Sequence, residues 1–151
     1  MGIAITDREG DPKDTLRNIR ETGDFVINVV SEPLLEAMVK CAGDWPRGTS
    51  EFAVAGVTAA PAGRVGAPRV LESPLHLECR LHREVPLGNC VFVIGEVVLA
   101  HADDALFTNG RVDPEKLRAV GRLGGELYAP LGEVRKVPRP RVSRATGEAV
   151  G

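Results

Sequence analysis

The sequence has few aromatic residues, few cysteines and no long hydrophobic run. Aromatic residues make up 4% of the 151 residues, and the three cysteines, Cys41, Cys79 and Cys90, include no closely spaced pair. This argues against a disulfide framework or a cysteine-based zinc site and favours a reducing compartment, so a cytoplasmic protein is expected. No segment is long and apolar enough to span a bilayer, and the first residues do not resemble a signal peptide, so no membrane partner is expected.

The sequence also lacks an excess of charge of either sign. Its 19 basic and 21 acidic residues leave a formal net charge of −2. Without a basic surface field, nucleic acid is not expected as a partner. The composition is that of one ordinary globular domain, in which 17 glycines and 11 prolines favour many turns over long helices.

Residues 11–31 predict a helix followed by a buried strand. Pro12 suits the first helical turn, and Asp14 is expected to cap the free backbone N–H groups. Gly23 is placed to end the helix, since glycine enters the left-handed conformation at little cost. Phe25 to Val30 then reads as a nearly continuous apolar strand.

The start of this helix is also a candidate anion site. Its free N–H groups and the positive end of its dipole attract anions, and Lys13 and Thr15 would add a charge and a hydroxyl donor. The alternative is that Lys13 only faces solvent and Thr15 is an ordinary residue of the first turn. On the residues alone, this alternative is favoured.

A β-hairpin is the clearest pattern in the sequence. Leu75 to Val85 alternates apolar and polar residues, and Cys90 to Ala100 is a more apolar returning strand after a Pro-Leu-Gly-Asn turn. Gly95 within it predicts a bulge or a close backbone approach. The polar positions of the first strand are expected to form a solvated face, made of His76, Glu78, Arg80, His82 and Glu84.

Shorter elements are predicted along the rest of the chain. They are a strand at Gly2 to Thr6, a polar turn from Asp7 to Asp11, a helix from Pro33 to Ala42 capped by Ser31, one helical turn within Glu51 to Val57, a loop from Ala59 to Pro68, a strand end at Asp103-Asp104, a helix start at Asp113-Pro114, a flexible turn from Arg122 to Gly125 and a strand from Glu133 to Val137.

Catalytic and metal-binding constellations are not recognised in the sequence. His76 and His82 lie roughly 20 Å apart along one strand, and no His-x-x-x-His spacing occurs, so no metal site is predicted. No Gly-x-Ser-x-Gly motif occurs, and Cys79 falls on the apolar face of its strand, so no catalytic side chain is predicted. Trp45 beside Pro46 suits either a ligand pocket or a packing plug, and a single tryptophan is more often the plug.

The ordered set of motifs resembles a known family. Lys13-Asp14-Thr15, then Asn18-Ile19, then Gly23-x-Phe25-x-x-Asn28, resembles the flavin reductase-like proteins of the FMN-binding split-barrel superfamily. The later segments agree in order: Pro68-Arg69-Val70, Pro74 to Cys79, Ile94 to Val98, Gly110-Arg111 with Asp113-Pro114, and Arg122 to Gly125 with Tyr128. The likeness reaches about Pro140.

The resemblance implies a fold and a domain layout. It implies a mainly β protein, an FMN-binding split β-barrel with short peripheral helices, over residues 1–140. From Pro138 on, the chain is basic and proline-containing without a periodic apolar face, and residues 141–151 are expected to be a disordered tail. Family members usually carry several dozen further residues before the point that matches Met1, so the domain is expected to lack their N-terminal hairpin.

The resemblance also implies a cofactor and a site. Lys13 and Thr15 would approach the phosphate or ribityl chain of FMN, and Asp14 would share the site while its carboxylate points away and caps the helix. Arg122 and Tyr128 match a segment that lies near the cofactor in relatives, across a dimer interface.

The expected function is therefore that of a homodimeric oxidoreductase, which binds FMN and passes hydride from NAD(P)H to flavin. Its partners would be flavin and nicotinamide. The alternative is a non-enzymatic flavin-binding or dimerisation module, inactive because the N-terminal part of the cofactor site is missing. The split barrel also holds other ligands in other proteins, so the fold alone does not decide between these functions.

Overall fold

The computed structural model describes residues 1–7, 10–147 and 149. In chain order the elements are β1 (Gly2–Thr6), α1 (Asp14–Thr22), β2 (Asp24–Asn28), α2 (Leu35–Cys41), α3 (Glu51–Ala55), β3 (Ala59–Ala60), β4 (Arg69–Val70), β5 (Leu75–Leu87), β6 (Cys90–Ala102), β7 (Phe107–Thr108), β8 (Arg111–Val112), α4 (Pro114–Leu117), β9 (Val120–Gly124) and β10 (Leu127–Pro130). Short 3-10 helices span Glu32–Leu34 and Asp104–Leu106. The prediction of a mainly β chain with short peripheral helices is confirmed.

A four-stranded antiparallel sheet organises the fold, with strand order β1-β6-β5-β2. The predicted hairpin is its centre: β5 and β6 are 13 residues each, and Gly88-Asn89 forms the turn between them. Two register irregularities, after Glu78 and around His82, bend this hairpin. The predicted strand at Gly2 to Thr6 is confirmed as β1, which forms one edge of the sheet.

The core lies between one face of this sheet and α1. It is made of Ile5, Leu16, Ile19, Phe25, Cys79, Val91 and Val93. Leu16 and Ile19 are three residues apart, so the same side of α1 brings both onto the sheet. Gly95 is confirmed as a close approach, because a Cβ at this position would lie 2.5 Å from Cζ of Phe25.

The first helix follows the predicted bounds, but its cap differs from the prediction. Gly23 ends α1 with a positive φ of 72°, and its N–H donates to the carbonyl of Ile19. The N-cap position is Lys13, with no side-chain hydrogen bond, so the prediction that Asp14 caps the helix is wrong. The following strand begins and ends earlier than predicted, at 24–28.

The second helix and the C-terminal hairpin also differ in detail from the prediction. The predicted helix at 33–42 is a 3-10 turn followed by α2, and Ser31 makes no side-chain cap bond. Asp113 does cap α4, since its carboxylate accepts from the N–H of Glu115. The predicted turn at 122–125 is instead the end of β9 and the start of the turn to β10, because the two strands pair as a hairpin.

The predicted strand at 133–137 is wrong, because this segment forms no strand in the described part of the chain. In the predicted tail, Val142 and Ala149 form an isolated bridge, and residues 148, 150 and 151 lie outside the described residues. The domain boundary at 140 and the disordered tail stay predictions. Of the predicted turn at 7–11, residues 8 and 9 lie outside the described residues.

Candidate functional site

A groove of about 540 Å³ runs along the outer edge of β2. Its walls come from α1, β2, α3 and the loop before β4, and they are mainly apolar. The lining residues are Thr15, Asn18, Ile19, Thr22, Asp24, Phe25, Val26, Asn28, Cys41, Glu51, Phe52, Val57, Gly66, Ala67, Pro68 and Val70.

A second, more polar hollow of about 350 Å³ lies at the start of α1. We call it the α1 basin. Thr15, Cys41 and Glu51 line both it and the groove, so the two hollows are adjacent. The remaining lining residues of the basin are Asp11, Pro12, Lys13, Asp14, Arg17, Ala42, Gly43, Trp45, Pro46, Arg47 and Thr49.

The start of α1 supplies backbone donors to the basin. The carbonyl of Lys13 accepts from the N–H groups of Leu16 and Arg17, which are the first turn of the helix. The N–H groups at Asp14 and Thr15 precede any carbonyl of the helix that could accept from them. Both residues lie in the basin wall, so an anion bound there would meet the positive end of the helix dipole.

The charges of the basin wall are nearly balanced. Arg17 is already engaged, since its guanidinium pairs with the Asp11 carboxylate and its Nε donates to the Pro12 carbonyl at 3.0 Å. The other cations of the wall are Lys13 and Arg47. Asp14 and Glu51 line the basin as well, and Asp14 does not cap the helix.

Trp45 lines the basin and is not the packing plug favoured from the sequence. It is 40% exposed, and its Nε1 donates to the carbonyl of Lys40 at 2.8 Å. Trp45 and Arg47 were not identified as site residues from the sequence. The adjacent Gly-Asp-Trp-Pro-Arg-Gly turn was the available signal, but only the packing of α2 and α3 brings it beside α1.

Arg122 and Tyr128 do not join Lys13, Asp14 and Thr15 within one chain. They are cross-strand partners in the β9–β10 hairpin, where Arg122 donates to the carbonyl of Gly125 at 3.1 Å. Tyr128 lines a separate hollow of about 380 Å³ against α2. Their role near the cofactor stays a prediction and requires a second copy of the chain.

Residues 61–70, which we call the wall segment, are fastened to the sheet by a buried carboxylate. Glu78 is 0% exposed, and its Oε1 and Oε2 accept from the N–H groups of Gly63 at 2.7 Å and Arg64 at 2.6 Å. The Nε2 of His101 also donates to Oε1 of Glu78. The expectation of a solvated face is therefore wrong at Glu78, because the wall segment covers this end of β5.

His76, expected on the same solvated face, is buried as well. Its Nε2 lies 2.7 Å from the carbonyl of Val70 and must donate to it, so Nδ1 is the acceptor for Nη1 of Arg69 at 3.4 Å. The Nε of Arg69 donates to the carbonyl of Pro61 at 3.1 Å. This arrangement requires the neutral His76 imidazole.

Two residues of β2 hold the same segment from the strand edge. Oδ2 of Asp24 accepts from the N–H of Gly66 at 2.7 Å, and Oδ1 of Asn28 accepts from the N–H of Val70 at 2.8 Å. Oδ1 of Asp24 is buried and has no hydrogen-bond partner among the described residues. Asp24 is also one of the residues that line the groove.

The pKa values of the two buried groups move in the same direction for different reasons. Burial alone would raise the pKa of Glu78, but the hydrogen bonds from Gly63, His101 and Arg64 outweigh it, so the pKa lies below its ordinary value. Burial lowers the pKa of His76, and the nearby charge of Arg69 and His101 adds to this effect. Glu78 is therefore ionised and His76 neutral at pH 7.

The cysteine near the groove is not activated. Cys41 lines both hollows, but burial and the neighbouring Glu51 raise the pKa of its thiol. Burial likewise raises the pKa of Cys79, which lies in the core. All three cysteines are free thiols, and a raised pKa keeps Cys41 and Cys79 in the poorly nucleophilic protonated form.

Neither a metal-binding group nor a membrane-spanning helix is found in the described part of the chain. Within 1–7, 10–147 and 149, no group of three histidine, cysteine or acidic residues is placed to hold a metal ion. Over the same residues, no helix has the length and apolar character needed to cross a membrane.

Comparison with known proteins gives a family and a fold. The model of the flavin reductase-like domain matches residues 1–116. A relative from Halalkalibacterium halodurans is 38% identical over 151 residues, covering 95% of this chain and 72% of that protein. A relative from Aquifex aeolicus is 36% identical over 128 residues, covering 83% of this chain and 65% of that protein.

Solved structures agree with this result. Nitrilotriacetate monooxygenase component B from Bacillus cereus superposes with a TM-score of 0.86 at 33% identity, covering 90% of this chain and 70% of that one. The 2-nitrobenzoate 2-nitroreductase of Pseudomonas fluorescens gives a TM-score of 0.76 at 30% identity, covering 97% and 72%. Flavoredoxin of Desulfovibrio vulgaris gives 0.75 at 25% identity, covering 97% and 76%. The split-barrel fold predicted from the sequence is confirmed.

Proposed function

Because the chain belongs to the flavin reductase-like domain family, we propose that it binds FMN and passes hydride from NAD(P)H to the flavin. The FMN would lie in the groove along β2, which we call the flavin groove, and in the α1 basin. The observation that carries this proposal is that a mainly apolar groove lies beside a polar basin at a helix start, with three lining residues in common. FMN has the same division, with a flat ring at one end and a phosphate at the other.

The residues present fit the cofactor. Small-molecule sites in proteins measure roughly 300–1,000 Å³, and the groove of about 540 Å³ falls in this range. Lys13, Thr15 and the first N–H groups of α1 would hold the phosphate, and Arg47 adds a second positive charge that offsets Asp14.

The electron chemistry belongs to the flavin, whose ring accepts hydride at N5 when it is bound. The protein's own part is to orient and to exclude water. Phe25, Phe52 and Pro68 give the groove apolar surface, and the wall segment closes it on the side away from α1. Hydride transfer itself demands no acid or base side chain, which agrees with the absence of a predicted catalytic residue.

We also infer a homodimer and a cytoplasmic location. Leu123 and Leu127, in the β9–β10 hairpin, are 70% and 67% exposed. Apolar side chains exposed side by side favour burial against another surface. A partner copy would bring Arg122 and Tyr128 toward the cofactor. The three free thiols favour a reducing compartment.

The phosphate assignment is tested by comparing FMN with riboflavin, which lacks the phosphate. Loss of one charge-assisted hydrogen bond costs about 1.5–3 kcal/mol, so Lys13→Ala should weaken FMN binding roughly 10- to 150-fold and leave riboflavin binding unchanged. Flavin fluorescence titration measures both. Lys136→Ala, an exposed lysine outside both hollows, is the matched control. Equal affinity of the unmutated protein for the two flavins would contradict the assignment.

Hydride transfer is tested separately. Mixing the flavin-loaded protein with NADH or NADPH without oxygen should bleach the flavin absorbance near 450 nm (about one flavin per nicotinamide consumed). Tight flavin binding without bleaching by either nucleotide would favour the non-enzymatic binding module.

A further inference from the structure

The Glu78 carboxylate is buried, although the alternating sequence of its strand predicts that the polar side chains face solvent. It is completely buried, and each of its oxygens accepts from a backbone N–H of the wall segment. His101 on the neighbouring strand β6 donates to the same carboxylate. Burying a carboxylate is costly unless such donors surround it, so the three contacts form one unit.

The wall segment depends on contacts of this kind for its shape. Its sequence, PAGRVGAPRV, is rich in glycine and proline. The ladder at its ends is short, because β3 and β4 pair over only two residues each. Between them, the N–H groups of Gly63, Arg64 and Gly66 are taken by side chains of the central sheet.

The same segment forms one side of the flavin groove. Gly66, Ala67, Pro68 and Val70 line the groove directly. Glu78 and His101 do not line it, and the side chain of Glu78 contacts the wall segment at the N–H groups of Gly63 and Arg64. A change at Glu78 would therefore act on the groove through the backbone of the wall segment.

We propose that Glu78 and His101 are positioning residues, which hold the wall segment in the shape that binds the flavin ring. Glu78 anchors the two N–H groups, and His101 supplies the third donor that balances the buried charge. His101 is 30% exposed at its side chain, so this pair also links the buried carboxylate to the surface. The proposal rests on the proposed function for its ligand, but the fastening of the segment can be measured without flavin.

Glu78→Gln is the central test. The variant keeps the size of the side chain but points an amide NH₂ donor at groups that are themselves donors. Hydrogen exchange of the flavin-free protein should show faster exchange at Gly63 and Arg64. FMN and riboflavin should both bind roughly tenfold more weakly, since leaving a buried donor unpaired costs about that factor. The equal loss separates this effect from Lys13→Ala, which is expected to discriminate between the two flavins.

Glu84→Gln is the matched control. Glu84 is on the same strand, but it pairs with Arg20 at the surface, away from the wall segment. Exchange at Gly63 and flavin affinity should both stay at the wild-type level.

A pair of variants at His101 covers the case in which Glu78→Gln does not fold. His101→Phe removes the donor, whereas His101→Gln retains an N–H. Weaker flavin binding and a shifted flavin absorbance spectrum are expected for His101→Phe, and His101→Gln should restore most of the affinity. If His101 only filled space, His101→Phe would bind flavin as tightly as the wild type, and that result would overturn the proposal.

The outcomes separate the two hypotheses. If the wild-type protein binds flavin but Glu78→Gln folds and binds it equally well, the positioning role is wrong and the proposed function stands. If the wild-type protein binds neither flavin, the proposed function fails, and the role in shaping a flavin site fails with it. Faster exchange at Gly63 and Arg64 in that case would show that the segment is fastened for another ligand.

Discussion

The two ends of β5 carry the same alternation of apolar and polar residues but have opposite surroundings. At one end, Glu78 is completely buried beneath the wall segment and is held by three donors. At the other end, Glu84 forms a bidentate pair with Arg20 at the surface. The register shift around His82 contributes to this difference: Glu84 pairs across the strands with the core residue Val93, whereas Glu78 pairs with Leu99, so the two carboxylates lie on opposite faces of the sheet. Alternation in a sequence therefore does not show which residues share a face once a bulge interrupts the strand.

The difference has an energetic consequence. A buried carboxylate with all its donors in place is tolerated, but its loss leaves several buried N–H groups without partners. A surface pair has water as an alternative partner on both sides, so its loss costs little. Residues with the same chemistry on one strand should therefore respond very differently to the same substitution.

The largest effect is expected for Glu78→Ala. It removes the acceptor of Gly63, Arg64 and His101 at once, and each buried donor left unpaired costs about 1–3 kcal/mol. Urea unfolding followed by circular dichroism measures the change. An unfolding free energy within error of the wild type would show that the contacts of Glu78 do not stabilise the fold more than those of Glu84.

Gly95→Ala should have the next largest effect, because it lies opposite Leu81 where the hairpin bends between the two ends. The new Cβ would fall 2.5 Å from Cζ of Phe25 and 3.1 Å from Cβ of Cys79. The aromatic ring must move, and overpacking of this kind costs about 1–3 kcal/mol. Unfolding curves measure it, with Gly132→Ala, which has open space around it, as the control.

The contribution of Glu78 to stability should depend on pH. The pKa of Glu78 is lowered in the folded state, so its ionised form contributes stability above the ordinary glutamate pKa, and this contribution falls as the pH drops through the folded value. Among its titratable neighbours, His101 donates to it directly, and His76 stacks edge-on against His101. The melting temperatures of wild type and Glu78→Gln should therefore converge toward acid pH. A constant difference down to pH 3 would contradict the lowered pKa.

The smallest effect is expected for Glu84→Ala. It breaks only a partly exposed pair with Arg20, and exposed substitutions of this kind shift the melting temperature by about 2 °C or less. Differential scanning calorimetry at low and high salt is the measurement, and the small difference should shrink further in high salt. A loss as large as that of Glu78→Ala would remove the contrast between the two ends.

Several elements were predictable because local patterns decide them. The helix α1 begins after Pro12 and ends at Gly23, since proline and a left-handed glycine act on the backbone of their own neighbours. The β5–β6 hairpin followed from alternation and a short turn, and Gly95 followed from a glycine inside an apolar strand. The grouping of Lys13 with Thr15 needed only their position at the helix start.

Other features depended on contacts between residues far apart in the chain. Glu78 accepts hydrogen bonds from Gly63 and Arg64, which lie 15 and 14 positions earlier in the chain, and from His101, which lies 23 positions later. No local sequence pattern predicts these contacts. Trp45 reaches the basin only because α2 and α3 bring its turn beside α1.

The sequence by itself determined the mainly β class, the hairpin at the centre of the sheet and the helix start that carries Lys13, because backbone preferences and the two-residue period of a strand are local properties. Only the tertiary structure decided which polar residues are buried and which wall closes the groove. The physical reason is that burial of a polar group depends on donors supplied by distant segments, and these are brought together only when the chain folds.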